Sequence, residues 1–488
     1  MRRLMTFSKA LTVIFIALLA YTRFVGIDWG LPYSMHPDER NMVIAIQHMR
    51  CVPGNLLSCF DPDFFAYGQL PLYGAYLISL LISAGSQAEG FIRSEVVTLA
   101  LRIIAAASSV ILTVYLAKII DKLNPLRIVP KIGVYLILTF VPVFIQFSHF
   151  GTTESLLMMF VSIMIWHAFV LLDGSIAISR YVATTGIILG LAVGTKVSAV
   201  LFCIIPFATL VIWAFSYRSW SRLATAWFGL VKIAAISIIF FIIASPFNIL
   251  DWNGFLHSMN YESSVGIGTY KAFYTRSFEY SLPVIFQFVR ILPYSLGWPI
   301  FGASLLGLIL LPWTRKYNLL RITLLVLFIP TAAMYAKWTR FIAPVFPLLL
   351  VFGTVFVSRV MSYELRVRSH ILKQIVRISS FIILIVIFSL PGIAYLAIYQ
   401  NPDVRFVASQ WMYENIPPSS KILAETANVV DVPIPSGLTD QEVVYRSNLR
   451  PISFDFYELD QNTVLEKELG EHLKTVEYIF VPSRRIFW

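Results

Sequence analysis

The chain has 488 residues, 58% of them hydrophobic and only 13% charged, against about 25% charged in a soluble globular domain. A mean hydropathy of +0.74 excludes an ordinary soluble fold. Three cysteines exclude a disulfide scaffold and a cysteine-based zinc site. The net charge of +11 does not mark a nucleic-acid binder, because the residues from Gln400 onward hold 13 acids and 8 bases. The basic excess therefore sits between the apolar runs, where Lys and Arg set membrane topology.

Apolar runs near the 20 residues that cross a hydrocarbon core fall at 8–27, 96–117, 131–148, 154–172, 180–196, 198–216, 230–247, 288–311, 319–336, 341–358 and 375–399. They predict a polytopic all-α membrane protein of about eleven spans. Leu11 to Ala20 reads as the core of the first span rather than a cleaved signal. Alternate connections carry the bases: Arg2, Arg3 and Lys9; Lys118, Lys122, Arg127 and Lys131; Arg180; Arg218 and Arg222; Arg315, Lys316 and Arg321; then 359–377. By the positive-inside rule these face the cytoplasm. The N-terminus is then cytoplasmic, and the odd number of spans leaves the C-terminus outside. Three long segments are expected outside: 26–95, 248–285 and 400–488. The last, with a helical period over Val404 to Asn415, a short β-like run Tyr478 to Val481 and proline-rich loops at 417–418 and 432–435, is expected to form a small α/β domain.

In chain order, the first chemistry-bearing motif is His36-Pro37-Asp38-Glu39. Paired carboxylates beside a membrane suit a general base with a neighbour that orients it or the substrate. They also suit a helix start, with Pro37 in the first turn and the acids at the positive end of the helix dipole. The stretch 60–73 is crowded with aromatic, proline and glycine residues, including Tyr67. Such rings either anchor at the lipid interface or stack on sugars. Cys51 and Cys59 either pair outside the cytoplasm or stay free thiols. Glu154, behind Thr152 and Thr153, opens the fourth span, as a functional acid in the membrane boundary or as a first-turn helix residue. His149 lies just before it. Lys196, Lys337 and Arg340 stand at membrane level on the outer side, where they either grip a lipid phosphate or snorkel to headgroups.

Taken together, these motifs resemble the GT-C membrane glycosyltransferases, in particular the protein O-mannosyltransferase and lipid A aminoarabinose transferase branch. The resemblance is carried by His36-Pro37-Asp38-Glu39, Asp63-Phe64-Phe65 with Tyr67, Leu70-Pro71-Leu72-Tyr73, Thr153-Glu154, the run 190–196, Ser245-Pro246-Phe247, Gly297-Trp298-Pro299 and Arg340-Phe341-Ile342-Ala343-Pro344, in order over some 300 residues. It implies a GT-C catalytic domain over 1–399 and a small outer domain over 400–488. It implies an inverting transfer of a sugar from a polyprenyl-phosphate carrier to an acceptor hydroxyl on protein, lipid or glycan, at the outer face of the cell membrane. Asp38 would be the base, with Glu39 and Glu154 as further catalytic acids, and Lys196, Arg340 and Lys337 would hold the phosphate. His36, Tyr67 and His149 are expected along the substrate cavity. No cofactor and no metal are expected, although some relatives use a divalent ion. A lipid or solute transporter is the alternative. It predicts two related halves with broken helices at mid-membrane, and no such repeat is evident.

Overall fold

The computed structural model of the protein describes residues 2–83, 92–125, 128–216, 219–362, 370–417, 419–425, 450–460 and 462–481. Arg127, Arg218, Arg366, Arg368 and the proline-rich stretch 432–435 lie outside the described residues. The helices are α1 (Arg2–Phe24), α2 (Pro37–His48), α3 (Leu70–Ser83), α4 (Ser94–Leu123), α5 (Ile128–Thr139), α6 (Pro142–Ser148), α7 (Glu154–Leu172), α8 (Ile178–Val193), α9 (Ile204–Phe215) and α10 (Trp220–Ala244). They continue as α11 (Phe247–Leu250), α12 (Trp252–Ile267), α13 (Leu292–Leu296), α14 (Trp298–Leu310), α15 (Arg315–Ala332), α16 (Phe346–Ser362), α17 (His370–Gln400), α18 (Val404–Asn415) and α19 (Thr463–His472). Strands β1 (Lys421–Glu425), β2 (Arg450–Phe454) and β3 (Tyr478–Phe480) form a parallel sheet of order β2-β1-β3.

Among the described residues, six helices are long and apolar enough to cross a membrane, or eight if each of two bent pairs is one span. Ala10–Phe24, Leu70–Ser83 and Ile178–Val193 are shorter apolar helices. The chain is a multi-pass membrane protein. Two runs that the sequence presents as continuous are broken. The run 131–148 bends by 46° between α5 and α6, and 288–311 bends by 112° at Gly297. The first break follows from Pro142, which has no N–H for the Leu138 carbonyl. Arg23, fully buried, supplies the missing donors by reaching Thr139 O (2.9 Å) and Leu138 O (3.4 Å) while its Nε bonds Ser109 Oγ. The second break uses a glycine at φ +84° with Pro299 at the start of α14, a backbone state that side chains rarely adopt.

Close helix contact positions the site. Gly186 and Gly190 on one face of α8 and Gly194 at its C-cap recur every four residues, and α10 packs against them. A Cβ at Gly190 would meet Ser237 O at 2.5 Å, and one at Gly194 would meet the Ala244 side chain at the same distance. Ser237 Oγ donates to Gly186 O at 3.0 Å. This small-residue stripe lets two backbones touch, as in membrane helix pairs generally, and fixes the turn that carries Lys196.

The three long hydrophilic segments meet on one face. The α/β domain packs Met412, Ile416 and Ile422 onto Met35, with Trp29 and Tyr33 beside them, and Arg405 donates to Met35 O. The segment after α12 joins the same domain through Arg276–Glu458 at 3.2 Å and Phe273 against Tyr457. At the other end of α7, Asp173 pairs with Lys122 and Lys316, each at 2.6 Å. The 19 residues of α7 separate Glu154 from that cluster by roughly 28 Å, close to a bilayer core. The segment 26–95, expected as loop, contains α2 and the apolar α3, whose 14 residues are too few for a span. Replacing Gly190 by Leu is expected to destabilise the protein by about 1–3 kcal/mol through overpacking, read as a lower thermal midpoint in detergent.

Candidate active site

Helix α2 begins as its sequence dictates. His36 is the N-cap, and its Nδ1 accepts the Asp38 N–H at 3.2 Å. Pro37 occupies the first turn, where its missing N–H costs nothing. The first turn aims its two acids in different directions. Asp38 forms an ion pair with Arg340 and lies beside the Tyr67 hydroxyl, which favours its ionised form. Glu39 is fully buried and is gripped by Arg102, with Nε to Oε2 at 2.9 Å and Nη2 to Oε1 at 2.8 Å. The Gly151 N–H also donates to Glu39 at 2.7 Å. Arg102 spends its remaining group on Ile27 O and Trp29 O. Glu39 thus ties α2, α4 and the loop before α7 together.

Glu154 opens α7, with Thr153 at the cap position but donating to Glu154 Oε1 (3.4 Å) rather than to the helix backbone. It is 1% exposed and pairs with Lys196 at 3.5 Å. Lys196 lies over the Tyr67 ring at 5.0 Å. The two loops are held together by backbone bonds, Gly68 N to Thr195 O at 3.0 Å and Leu70 N to Gly194 O at 3.2 Å. Gln69 adds the third strut. Its N–H donates to Ser245 Oγ, its Oε1 accepts from Phe247 N, and its Nε2 donates to Asn248. The short motifs 67–70, 194–196 and 245–247 are therefore one junction that places Tyr67 and Lys196 face to face.

Lys196, Arg340 and Tyr67 line a cavity of ≈ 320 Å³. Asp38 and Glu154 stand directly behind these residues as their partners. The rest of the wall is mostly apolar, including Leu201, Phe202, Met259, Ile267, Leu327 and Met334. Burial pushes the Asp38 carboxyl up, but Arg340, His36, Lys196 and the Tyr67 hydroxyl together outweigh it and hold it below the usual carboxylate value. Burial lowers His36, against the pull of Asp38 and Glu39, which matches an Nδ1 that accepts a hydrogen bond.

No protein-family model matches the sequence, and no curated protein matches it. Solved structures do. ArnT from Cupriavidus metallidurans bound to undecaprenyl phosphate aligns with a TM-score of 0.54 at 14% identity, over 96% of this chain and 89% of that one, and its apo state aligns equally well. The Archaeoglobus fulgidus oligosaccharyltransferase in its apo form aligns with a TM-score of 0.49 at 12% identity, over 96% of this chain and 69% of that one. The fold is of the GT-C type.

Tyr67, Lys196 and Arg340 line the cavity, Asp38 and Glu154 reach it only as the ion-pair partners of Arg340 and Lys196, and His36 caps the helix that carries Asp38. Three expected site residues lie elsewhere. Glu39 has no exposed surface with which to touch a sugar. His149 is fully buried, its two ring nitrogens 2.7 Å from Ile145 O and 2.8 Å from Val25 O and its ring stacked on Tyr399, so it packs the scaffold rather than lining the cavity. Lys337 is 3% exposed, donates to Tyr335 O at 2.8 Å and lies against Phe278 and Tyr335. Its interior packing, not a lipid headgroup, holds it. Cys51 and Cys59 are joined in a disulfide. Glu262 was not foreseen. It lines the cavity from α12, and the protein packed around it pushes its carboxyl above the usual value despite the pull of Arg340 and Lys196. Its only sequence signal is an acid between Tyr261 and Ser263 in an outer segment.

Two outcomes follow. Arg102→Ala leaves Glu39 as an uncompensated buried charge and is expected to cost about 3–5 kcal/mol, seen in thermal unfolding. The pairing of Asp38 stabilises the fold fully above about pH 4, the ordinary Asp value. That contribution is lost as pH falls through the lower value Asp38 has when folded. Asp38→Asn should therefore flatten the acid limb of the stability–pH profile.

Proposed function

We propose that the protein is a glycosyltransferase that takes a sugar from a polyprenyl-phosphate carrier and passes it to an acceptor hydroxyl. The observation that carries this reading is the cavity itself: an apolar wall that ends in two cations, Lys196 and Arg340, each backed by a carboxylate. An isoprenoid tail suits the apolar wall, and a phosphate suits the cations, Arg340 as a two-pronged donor and Lys196 as a compact charge. The solved GT-C neighbour that binds undecaprenyl phosphate supports the same carrier class.

The ion pairs give the site a charge-exchange logic. Arg340 neutralises Asp38 and Lys196 neutralises Glu154. A phosphate that enters between the cations competes for both. Asp38 then loses the partner that holds its carboxyl low and becomes a better proton acceptor. In the transfer, the acceptor oxygen attacks the anomeric carbon as its proton passes to Asp38. The bond from that carbon to the phosphate oxygen breaks, and the leaving phosphate carries its charge onto Arg340 and Lys196. Direct displacement inverts the anomeric centre. Tyr67 positions Asp38 through its hydroxyl, and Glu39 holds the first turn of α2 from behind. No metal enters this scheme. By the distribution of Lys and Arg, the site faces outward and the N-terminus lies in the cytoplasm.

Membranes carrying the protein are to be assayed against a panel of undecaprenyl-phosphate sugars, with acceptor glycosylation and release of undecaprenyl phosphate as readouts. Asp38→Asn is expected to lower kcat by about 10²–10⁴-fold while donor affinity is kept or raised, because the phosphate no longer competes with Asp38 for Arg340. Arg340→Ala should weaken undecaprenyl-phosphate binding by about tenfold or more, the worth of a charge-assisted hydrogen bond. Release without glycosylation, or movement of the intact donor across a vesicle, would discard the transferase reading in favour of hydrolysis or transport. Activity that disappears in chelator and returns with a divalent ion would overturn the metal-free scheme.

A further inference from the structure

We propose that the acceptor site is a second, larger cleft, between the segment 273–290 and the small α/β domain, and that it takes a neutral saccharide chain. This assignment rests on the transferase reading above and adds the acceptor class to it. The cleft has a volume of ≈ 900 Å³, near the upper end of the roughly 300–1,000 Å³ range of ligand sites. It is concave, whereas a folded protein partner ordinarily docks across a broad surface of about 800 Å² per side.

Its chemistry is that of sugar recognition. Phe273, Tyr274 and Tyr457 face into it, with Tyr280 96% exposed at its mouth. Aromatic rings pack on the C–H faces of sugar rings, and ionised side chains bond the hydroxyls. Tyr280 holds a left-handed backbone, φ +62°, an unfavourable state for an aromatic residue that is found preferentially at ligand sites. Arg276 bonds Glu458 through one terminal nitrogen, while its Nη1 is buried and has no hydrogen-bond partner among the described residues. A buried donor left open is costly, and a small shift of the side chain toward a hydroxyl in the cleft would satisfy it. Along the wall, Arg276 and Arg290 are outnumbered by Glu279, Asp460 and Glu466. That balance disfavours a polyanionic chain.

The cleft is also connected to the candidate base. Tyr457 meets Phe273 at 5.3 Å, Phe273 meets Tyr274 at 5.1 Å, and Tyr274 meets Trp338 at 6.0 Å. The Arg340 guanidinium lies 4.5 Å from the centre of the Trp338 ring and pairs with Asp38. This row of packed rings joins the wall of the cleft to the Asp38–Arg340 pair.

The test uses the full-length protein in nanodiscs with maltotetraose, mannotetraose and chitotetraose, followed by calorimetry and saturation-transfer NMR. At least one tetrasaccharide is expected to bind wild type. Phe273→Ala should weaken it tenfold or more. Asp460→Asn and Glu466→Gln, which keep shape at the rim, should weaken it severalfold with an unchanged thermal midpoint. All should retain undecaprenyl-phosphate affinity within twofold. In transfer assays the same variants should raise acceptor KM with kcat largely kept. Binding of none of the tetrasaccharides, or binding undiminished in the variants, would overturn the proposal. If saccharide binds in the cleft yet no carrier-linked sugar is ever transferred, the cleft stands and the transferase reading falls. If transfer occurs and acceptor KM ignores all three substitutions, the reverse holds.

Discussion

Four ionisable side chains from four distant parts of the chain, Asp38, Glu154, Lys196 and Arg340, neutralise one another where the apolar helices end. Burying such charges is expensive, and mutual pairing is what makes it tolerable. The rest of the architecture can be read as the means of assembling this set. A helix start aims Asp38, a second helix start aims Glu154, a glycine-striped helix contact fixes the turn that bears Lys196, and the turn before α16 delivers Arg340. Pairs that are charge-balanced yet only partly sealed can exchange partners, which a fully buried pair cannot. Glu39 and Arg102, with no exposed side-chain surface, are of the second kind, and their place is the frame.

The contrast between Asp38 and Glu39 shows how far adjacent residues can diverge. On a helix, neighbours point about 100° apart, so one acid meets Arg340 and the other meets Arg102. Nothing in the order Asp-Glu says which is which. The partner decides, and the partners are 302 and 63 residues away.

Much of the fold was legible because lipid imposes simple rules. Apolar length marked most of the spans, and helical periodicity placed α18 over Val404–Asn415 as observed. Charge singled out Asp38, Glu154, Lys196 and Arg340, since ionisable groups at membrane level are costly without a use, and the fold pairs them. What escaped depends on long-range geometry. The bends at Pro142 and Gly297 lie inside runs whose composition is continuous. The helix α3 is too short to read as a span. His149 and Lys337 have the residue types of a site, yet their hydrogen bonds go to carbonyls of the scaffold. Glu262 reaches the cavity only because α12 folds back over it, which no local pattern announces.

Where a donor's phosphate comes to rest decides between these chemistries. The most direct test is a structure of the protein with an undecaprenyl-phosphate sugar bound to an inactive Asp38→Asn variant, beside one of wild type with undecaprenyl phosphate. Phosphate oxygens are expected within hydrogen-bond distance of both Lys196 and Arg340, the isoprenoid along Leu201, Phe202 and Met334, and the wild-type Asp38 carboxylate parted from Arg340. A phosphate bound elsewhere, with the Asp38–Arg340 and Glu154–Lys196 pairs intact, would contradict that expectation.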